Sequence, residues 1–246
     1  MATLFISDLH LDPSRPAITK LFLGFLREDA RRAEALYILG DFFEAWIGDD
    51  DPDPHHGLVM SALKELTGHG LPVYFMHGNR DFLVGSEFAR KTGVKILPDP
   101  TVLDLYGTPT LLMHGDTLCT DDLDYQKVRT MFRDPTWQKS FLAKSLDERR
   151  TFAARARTES KVQTATKAEY IMDVNQGAVE KALRDHGVTR LIHGHTHRPA
   201  VHRFQAGGRA AQRIVLGDWY EHASCLRWER SGGRLQDPRV SDGAAV

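Results

Sequence analysis

Five short blocks of the sequence carry side chains that bind hard or borderline cations. They are Asp8-Leu9-His10, Gly40-Asp41, His77-Gly78-Asn79-Arg80-Asp81, His114-Gly115-Asp116 and His193-Gly194-His195-Thr196-His197. Carboxylate and imidazole donors together suit Mn²⁺, Fe²⁺ or Zn²⁺ better than the all-oxygen shell preferred by Mg²⁺. In an extended backbone, residues two apart point the same way, so Asp8 and His10 are expected to share a direction, as are His195 and His197. Gly40, Gly78, Gly115 and Gly194 each sit beside a candidate ligand, where a tight turn brings backbone close to an ion. The chain has neither a P-loop nor a Gly-x-Ser-x-Gly elbow, and no side chain with the partner a nucleophile needs.

Each block follows a short apolar run, at 2–7, 35–39, 72–76, 110–113 and 189–192. Such runs predict strands buried on both faces. Helical periodicity separates the first three. Residues 16–31 place Ile18, Leu21, Phe22, Phe25 and Leu26 on one face, and 57–68 do so with Leu58, Met60, Leu63 and Leu66. Alternating strand and helix predicts a layered α/β fold with a partly parallel sheet, whose strand carboxyl ends deliver all five blocks to one rim. Segments 200–205, 211–217 and 222–229 predict antiparallel strands joined by Gly-rich turns such as Ala206-Gly207-Gly208. The tail from Ser231, rich in Gly, Arg and Asp, is expected to fray.

Residues 124–170 have a different texture. They are helical in pattern, carry 11 Lys/Arg against 6 Asp/Glu, and include Met131, Phe132, Trp137, Phe141, Leu142 and Phe152. This predicts a helical cap inserted at 124–170 into a core made of 1–123 and 171–246. A net charge of -1 over 246 residues argues against a general nucleic-acid binder. No stretch reaches the roughly 20 apolar residues of a membrane span, and the N-terminus lacks a signal-peptide pattern, so a cytoplasmic location is expected. Cys119 and Cys225 read as buried thiols.

In order, the blocks resemble the signature of the calcineurin-like metallophosphoesterases: D-x-H, G-D, G-N-[HR]-[DE], H and G-H-x-H. The resemblance runs from residue 8 to 197. It implies an α/β sandwich of two mixed β-sheets flanked by helices, and two divalent metal ions. One ion would rest on Asp8, His10, Asp41 and His197, and the other on Asp41, Asn79, His114 and His195, with Asp41 bridging. Two such ions lower the pKa of water and polarise phosphoryl oxygens, which supports phosphoester or pyrophosphate hydrolysis. Many members carry His after the metal-binding Asn. Here the residue is Arg80, a poor proton donor but a good clamp for spread phosphate charge, which fits a leaving group that is already good.

The longer runs from Ser7 to Leu11, Gly40 to Asp50, Met76 to Phe82 and His114 to Asp122 resemble one branch, the UDP-2,3-diacylglucosamine pyrophosphatases of lipid A biosynthesis. That branch implies Mn²⁺ as the metal and attack at the α-phosphate of UDP-2,3-diacylglucosamine, giving UMP and 2,3-diacylglucosamine 1-phosphate. It places substrate contacts at Asn79, Arg80, Asp122, Ser160, Thr164, Lys167 and His195. Phe82, Leu83, Trp137, Phe141, Phe152 and Met172 are candidates to line acyl chambers. A lipid-linked sugar nucleotide as substrate implies peripheral attachment of a monomer to the cytoplasmic side of the inner membrane, with Arg149, Arg150, Arg155 and Arg157 as candidate lipid contacts. Two alternatives stay open: a related phosphodiesterase or phosphatase with a soluble phosphoester substrate, and a scaffold with an inert metal site. Asp49, Asp50, Asp51 and Asp53 read as a solvated acidic turn, with His55 and His56 exposed beside it. His69, His186, His202 and His222 have no partner at ligand spacing.

Overall fold

A computed structural model describes residues 1–166 and 173–240, with backbone alone over 161–166. The apolar runs form β1 (Thr3–Ile6), β2 (Ala35–Leu39) and β3 (Val73–Met76), which pair in parallel. Alternate side chains turn to opposite faces. Leu4, Ile6, Leu36, Ile38, Val73 and Phe75 pack outward beneath helices, while Phe5, Tyr37, Leu39 and Met76 face inward. Both directions are apolar because both faces are covered.

The next strands are β4 (Lys95–Leu97), β5 (Thr101–Leu105), β6 (Thr108–Met113) and β7 (Arg190–His193). They are followed by β8 (Ala200–Ala206), β9 (Arg209–Val215), β10 (Cys225–Glu229) and β11 (Gly232–Gln236). Two mixed sheets result, ordered β11-β10-β1-β2-β3-β4 and β5-β6-β7-β9-β8. Leu112, Ile192 and Ile214 of the second sheet join Phe5, Tyr37, Leu39 and Met76 of the first in one core between the sheets. Helices α1 (Pro16–Glu28), α2 (Pro54–Gly68) and α3 (Ser86–Thr92) cover the first sheet's outer face. Between β6 and β7 run α4 (Leu123–Arg133), α5 (Pro135–Leu142) and α6 (Leu146–Thr166). After them, α7 (Gln176–Asp185) lays Val179 and Leu183 on Leu111, Met113 and Leu191, across the second sheet's outer face. The fold is thus the expected α/β sandwich of two mixed sheets flanked by helices. Among the described residues, no helix is long and apolar enough to cross a membrane.

Several expectations are corrected. Leu21 and Leu58 are exposed; the buried stripe of α2 is His56, Val59, Leu63 and Leu66. Segment 200–215 makes the expected hairpin, but β10 crosses to the other sheet and pairs with β1. The connection between them is held by buried Trp219, whose backbone N–H donates to the Asp8 carbonyl at 3.1 Å. The tail does not fray at Ser231, because β11 pairs with β10 and buries Leu235. Gly233 is there for packing: a Cβ would lie 2.4 Å from the Trp228 ring.

Candidate metal centre

The carboxyl ends of β1, β2, β3, β6 and β7 meet at one edge, and the loops that leave them are stitched together by backbone. Asp8 N–H donates to Gly40 O at 3.0 Å, His10 N–H to Asp41 O at 2.9 Å, and Gly194 N–H to His114 O at 2.9 Å. Asp8, His10, Asp41, His195 and His197 all have left-handed backbone, with φ of 56°, 49°, 50°, 69° and 55°. For non-glycine residues this costs roughly 1–2 kcal/mol each. It also overturns the extended-backbone expectation. Asp8 and His10 do converge, but His195 and His197 diverge into different clusters.

Among the described residues, two groups of donor atoms result: Asp8, His10 and His197, and Asp41, His114 and His195. In the first, His10 Nε2 lies 3.2 Å from His197 Nε2, which is 3.4 Å from Asp8 Oδ1. In the second, Asn79 Oδ1 lies 3.1 Å from His114 Nε2 and 3.0 Å from His195 Nδ1. Asp41 stands between them, Oδ2 3.8 Å from His10 Nε2 and Oδ1 3.8 Å from His114 Nε2. The crowding is possible because glycines flank it. A Cβ on Gly78 would fall 2.2 Å from Asp41 Oδ1, and one on Gly194 2.3 Å from Asp8 Oδ2.

The electrostatics suit divalent cations. Asp8 Oδ1 is buried without a hydrogen-bond partner, an arrangement that is costly unless something positive meets it. Burial pushes the Asp8 carboxyl up, but His197, His114 and His10 pull it well below the usual carboxylate range. Burial opposes charge on His114, yet Asp41, Asp116 and Asp8 outweigh it and raise the imidazole to about 9. Burial, reinforced by His114, lowers His195 to about 4, leaving a neutral ring. Burial opposes charge on His197 too, and Asp8, Asp218 and Asp41 outweigh it, raising the group.

Around these lie further residues, of which only Asp81 and Asp116 stand in the five blocks. Glu44 Oε2 is 2.9 Å from His10 Nδ1, and its Oε1 is 3.0 Å from Arg157 Nη2. Burial raises the Glu44 carboxyl, but His10, Arg80 and Arg157 bring it down to about 2. Asp81 accepts the N–H groups of Gly78 at 2.8 Å and Phe42 at 2.7 Å, joining the loops after β2 and β3. His114 Nδ1 meets Leu39 O at 2.9 Å. Tyr125 and Arg129 reach Asp116 at 3.0 and 2.7 Å, fastening α4 beside His195. Asp81 is the acidic position of the G-N-[HR]-[DE] block, whereas Glu44, Tyr125 and Arg129 carry no such signal.

The remaining predicted contacts are more dispersed. Arg80 N–H donates to Asp41 Oδ1 at 2.8 Å. Asp122 caps α4 by accepting Tyr125 N–H at 3.1 Å. Ser160 is half-buried on α6; the side chain of Thr164, Lys167 and Met172 lie outside the described residues. Phe82, Trp137, Phe141 and Phe152 join Phe132 in one aromatic cluster, with Phe82–Phe132 rings 5.5 Å apart, Trp137–Phe141 5.0 Å and Phe141–Phe152 5.3 Å. Leu83 is buried in the core.

The acidic turn is not a free solvated loop. Asp49 accepts from Trp46 Nε1, Gly85 N–H and Phe88 N–H, and Asp53 caps α2. Arg149, only 2% exposed, pairs with Asp50 and donates to Ile47 O at 2.7 Å, and Arg150 pairs with Asp51. Arg157 reaches Asp12 and Glu44, and Arg155 pairs with Glu159. These arginines are therefore engaged with the protein itself. His56 is buried against Phe43 and Trp46, His55 meets Thr19 Oγ1 at 2.8 Å, and His222 lies 3.6 Å from Asp237. His69 and His186 bond carbonyls of their own helices. Both cysteines are buried, and burial pushes each thiol up to about 12.

Residues 1–199 match the calcineurin-like phosphoesterase family. Curated relatives named UDP-2,3-diacylglucosamine hydrolase align over almost the whole chain. The protein of Stenotrophomonas maltophilia (strain K279a) is 56% identical over 242 residues, covering 96% of this chain and 98% of that one. The protein of Xanthomonas oryzae pv. oryzae (strain PXO99A) is 56% identical over 243 residues, with the same coverage of each. With its five blocks at one sandwich edge, the chain belongs to the calcineurin-like phosphoesterase family, within the branch of the UDP-2,3-diacylglucosamine hydrolases.

Proposed function

We propose that the protein hydrolyses the pyrophosphate bond of UDP-2,3-diacylglucosamine at the α-phosphate, releasing UMP and 2,3-diacylglucosamine 1-phosphate. The observation that carries this reading is Asp41, which turns one carboxylate oxygen towards each cluster. A carboxylate so placed can bridge two cations, the first held also by Asp8, His10 and His197, the second by Asn79, His114 and His195. A mixed carboxylate and imidazole set favours Mn²⁺. When bound, such a pair supplies a hydroxide near neutral pH and draws charge from the phosphoryl oxygens.

The chain's own residues do the rest. Glu44 and Leu39 O engage the rear nitrogens of His10 and His114, fixing which nitrogen faces the centre. The Arg80 guanidinium steadies the charge spreading over the phosphates. We take 124–170 as the cap that covers the sugar and acyl chains, with Asp122, Ser160, Thr164 and Lys167 as its head-group contacts. The aromatic cluster supplies an apolar surface of the kind acyl chains need. Exposed Leu123, Met131, Leu142 and Phe152 on α4, α5 and α6 make a better contact for the inner membrane surface than the engaged arginines do. The enzyme then works as a peripheral monomer on the cytoplasmic side.

The direct test is UMP release from the diacylated sugar nucleotide with Mn²⁺ present, run beside 4-nitrophenyl phosphate and a soluble phosphodiester. Preference for either soluble compound would defeat the reading. Asp41→Ala should lower the rate by about 10³-fold or more, the loss expected when transition-state charge is left uncompensated by several kcal/mol.

A further inference from the structure

Beside the candidate metal centre lies a cavity of about 390 Å³, lined in part by Asp173, Thr196, His197, Pro199, Arg213 and Val215. His197 belongs both to this cavity and to the first donor cluster, so the cavity begins one side chain from the centre. Its polar groups are not satisfied by the protein. Arg213 is only 7% exposed, and its Nη1 meets His193 Nε2 at 3.3 Å, yet its Nε has no hydrogen-bond partner. Thr196 Oγ1 is likewise buried without one. Two buried donors left unmade are expensive, and a ligand offering acceptors would recover that cost. Asp173 takes Arg198 at 3.1 Å and Val174 N–H at 2.7 Å, and a carboxylate with two oxygens still has lone pairs for another donor. Pro199 and Val215 add apolar lining of the kind a flat ring favours.

We infer that this cavity receives the nucleoside half of the substrate, Arg213 and Thr196 donating to the two carbonyl oxygens of a uracil ring and Asp173 accepting its N–H. The inference rests on the proposed function. Attack at the α-phosphate leaves the nucleoside joined to the attacked phosphorus, so it must lie beside the centre while the acylated half occupies the cap. Uracil presents acceptor, donor, acceptor along this edge. Cytosine replaces the ring N–H with a lone pair, which would face the Asp173 carboxylate.

Equilibrium binding of UMP, CMP and ribose 5-phosphate to the full Mn²⁺-loaded chain, measured by calorimetry, tests this. UMP is expected to bind at least about tenfold more tightly than either of the others, as loss of one buried hydrogen bond implies. Thr196→Val and Asp173→Asn should each remove most of that preference, and Arg213→Gln all of it. Thr196→Val changes little volume, so it keeps the test valid even if Arg213→Gln disturbs folding through His193. Equal affinity for UMP and ribose 5-phosphate would overturn the inference, as would UMP preference unchanged in both Thr196→Val and Asp173→Asn. Failure of the functional reading looks different: the wild-type enzyme would release no UMP from the diacylated sugar nucleotide.

Discussion

Behind His10 stands Glu44, a carboxylate that a reader of the sequence passes over because it has no spacing signature of its own. Removing its charge with Glu44→Gln should weaken Mn²⁺ binding by about 10–100-fold, the usual cost of losing the group that orients a ligating imidazole; titration of metal-free protein measures it. A second consequence concerns protons. His114 is held at about 9 by Asp41, Asp116 and Asp8 against burial, so below that pH a cation must displace its proton. Metal affinity should therefore rise with pH from 6 towards 9, and binding should release protons, detectable by calorimetry in buffers of different ionisation enthalpy. An affinity flat across that range would contradict the assignment of His114. The candidate cation-binding blocks were legible in the sequence because each lies at the end of an apolar run, four of the five with a glycine beside the candidate ligand. Glu44 and Asp218 were not, since groups that brace a ligand from behind come from wherever the fold brings them.

At the scale of elements, ion pairs fasten α4 and α6 to the rim; α4 buries none of its residues fully, and between them Phe141 of α5 enters the core. Arg149 is the deepest of these fasteners, reaching Asp50 and Ile47 O from α6. Arg149→Met should cost about 1.5–3 kcal/mol locally, the worth of hydrogen bonds to a charged group. Hydrogen exchange should then speed up over 146–160 while β1–β3 stay protected; unchanged exchange in α6 would show that the pair does not secure it. The central strands were readable because double burial writes an unbroken apolar run. Strands β4, β5 and β11 were missed for the opposite reason: they lie at sheet edges, where Lys95, Asp104 and Arg234 face water and dilute the pattern. The acidic loop 49–53 looked like solvated surface because its cationic partners stand about a hundred residues away.

For the molecule as a whole, stability depends on closure of the first sheet by its last strand. Leu235→Ala should cost about 2–5 kcal/mol, as for other fully buried leucines, whereas a frayed tail would lose nothing measurable in a thermal melt. The pH dependence has its own marker in Asp99, whose two carboxylate oxygens are buried without hydrogen-bond partners. Burial, then Asp116, push this carboxyl up to about 6. The fold thus binds the proton more tightly than the unfolded chain does, so stability is greatest below pH 4 for this group and declines as pH rises through about 6. Asp99→Asn should melt about 2–4 °C higher than wild type at pH 7.5, with the gap closing near pH 4.

The left-handed backbone at Asp8, His10, Asp41, His195 and His197 means that this rim is held in a conformation the chain alone would avoid. The rest of the fold bears the tension of holding these side chains together. Glycine, which tolerates that conformation, should therefore be the gentlest replacement: Asp41→Gly ought to outlast Asp41→Ala in thermal denaturation by about 1 kcal/mol, although both are inert. Catalytic readiness and durability would then pull against each other at the same five peptide units.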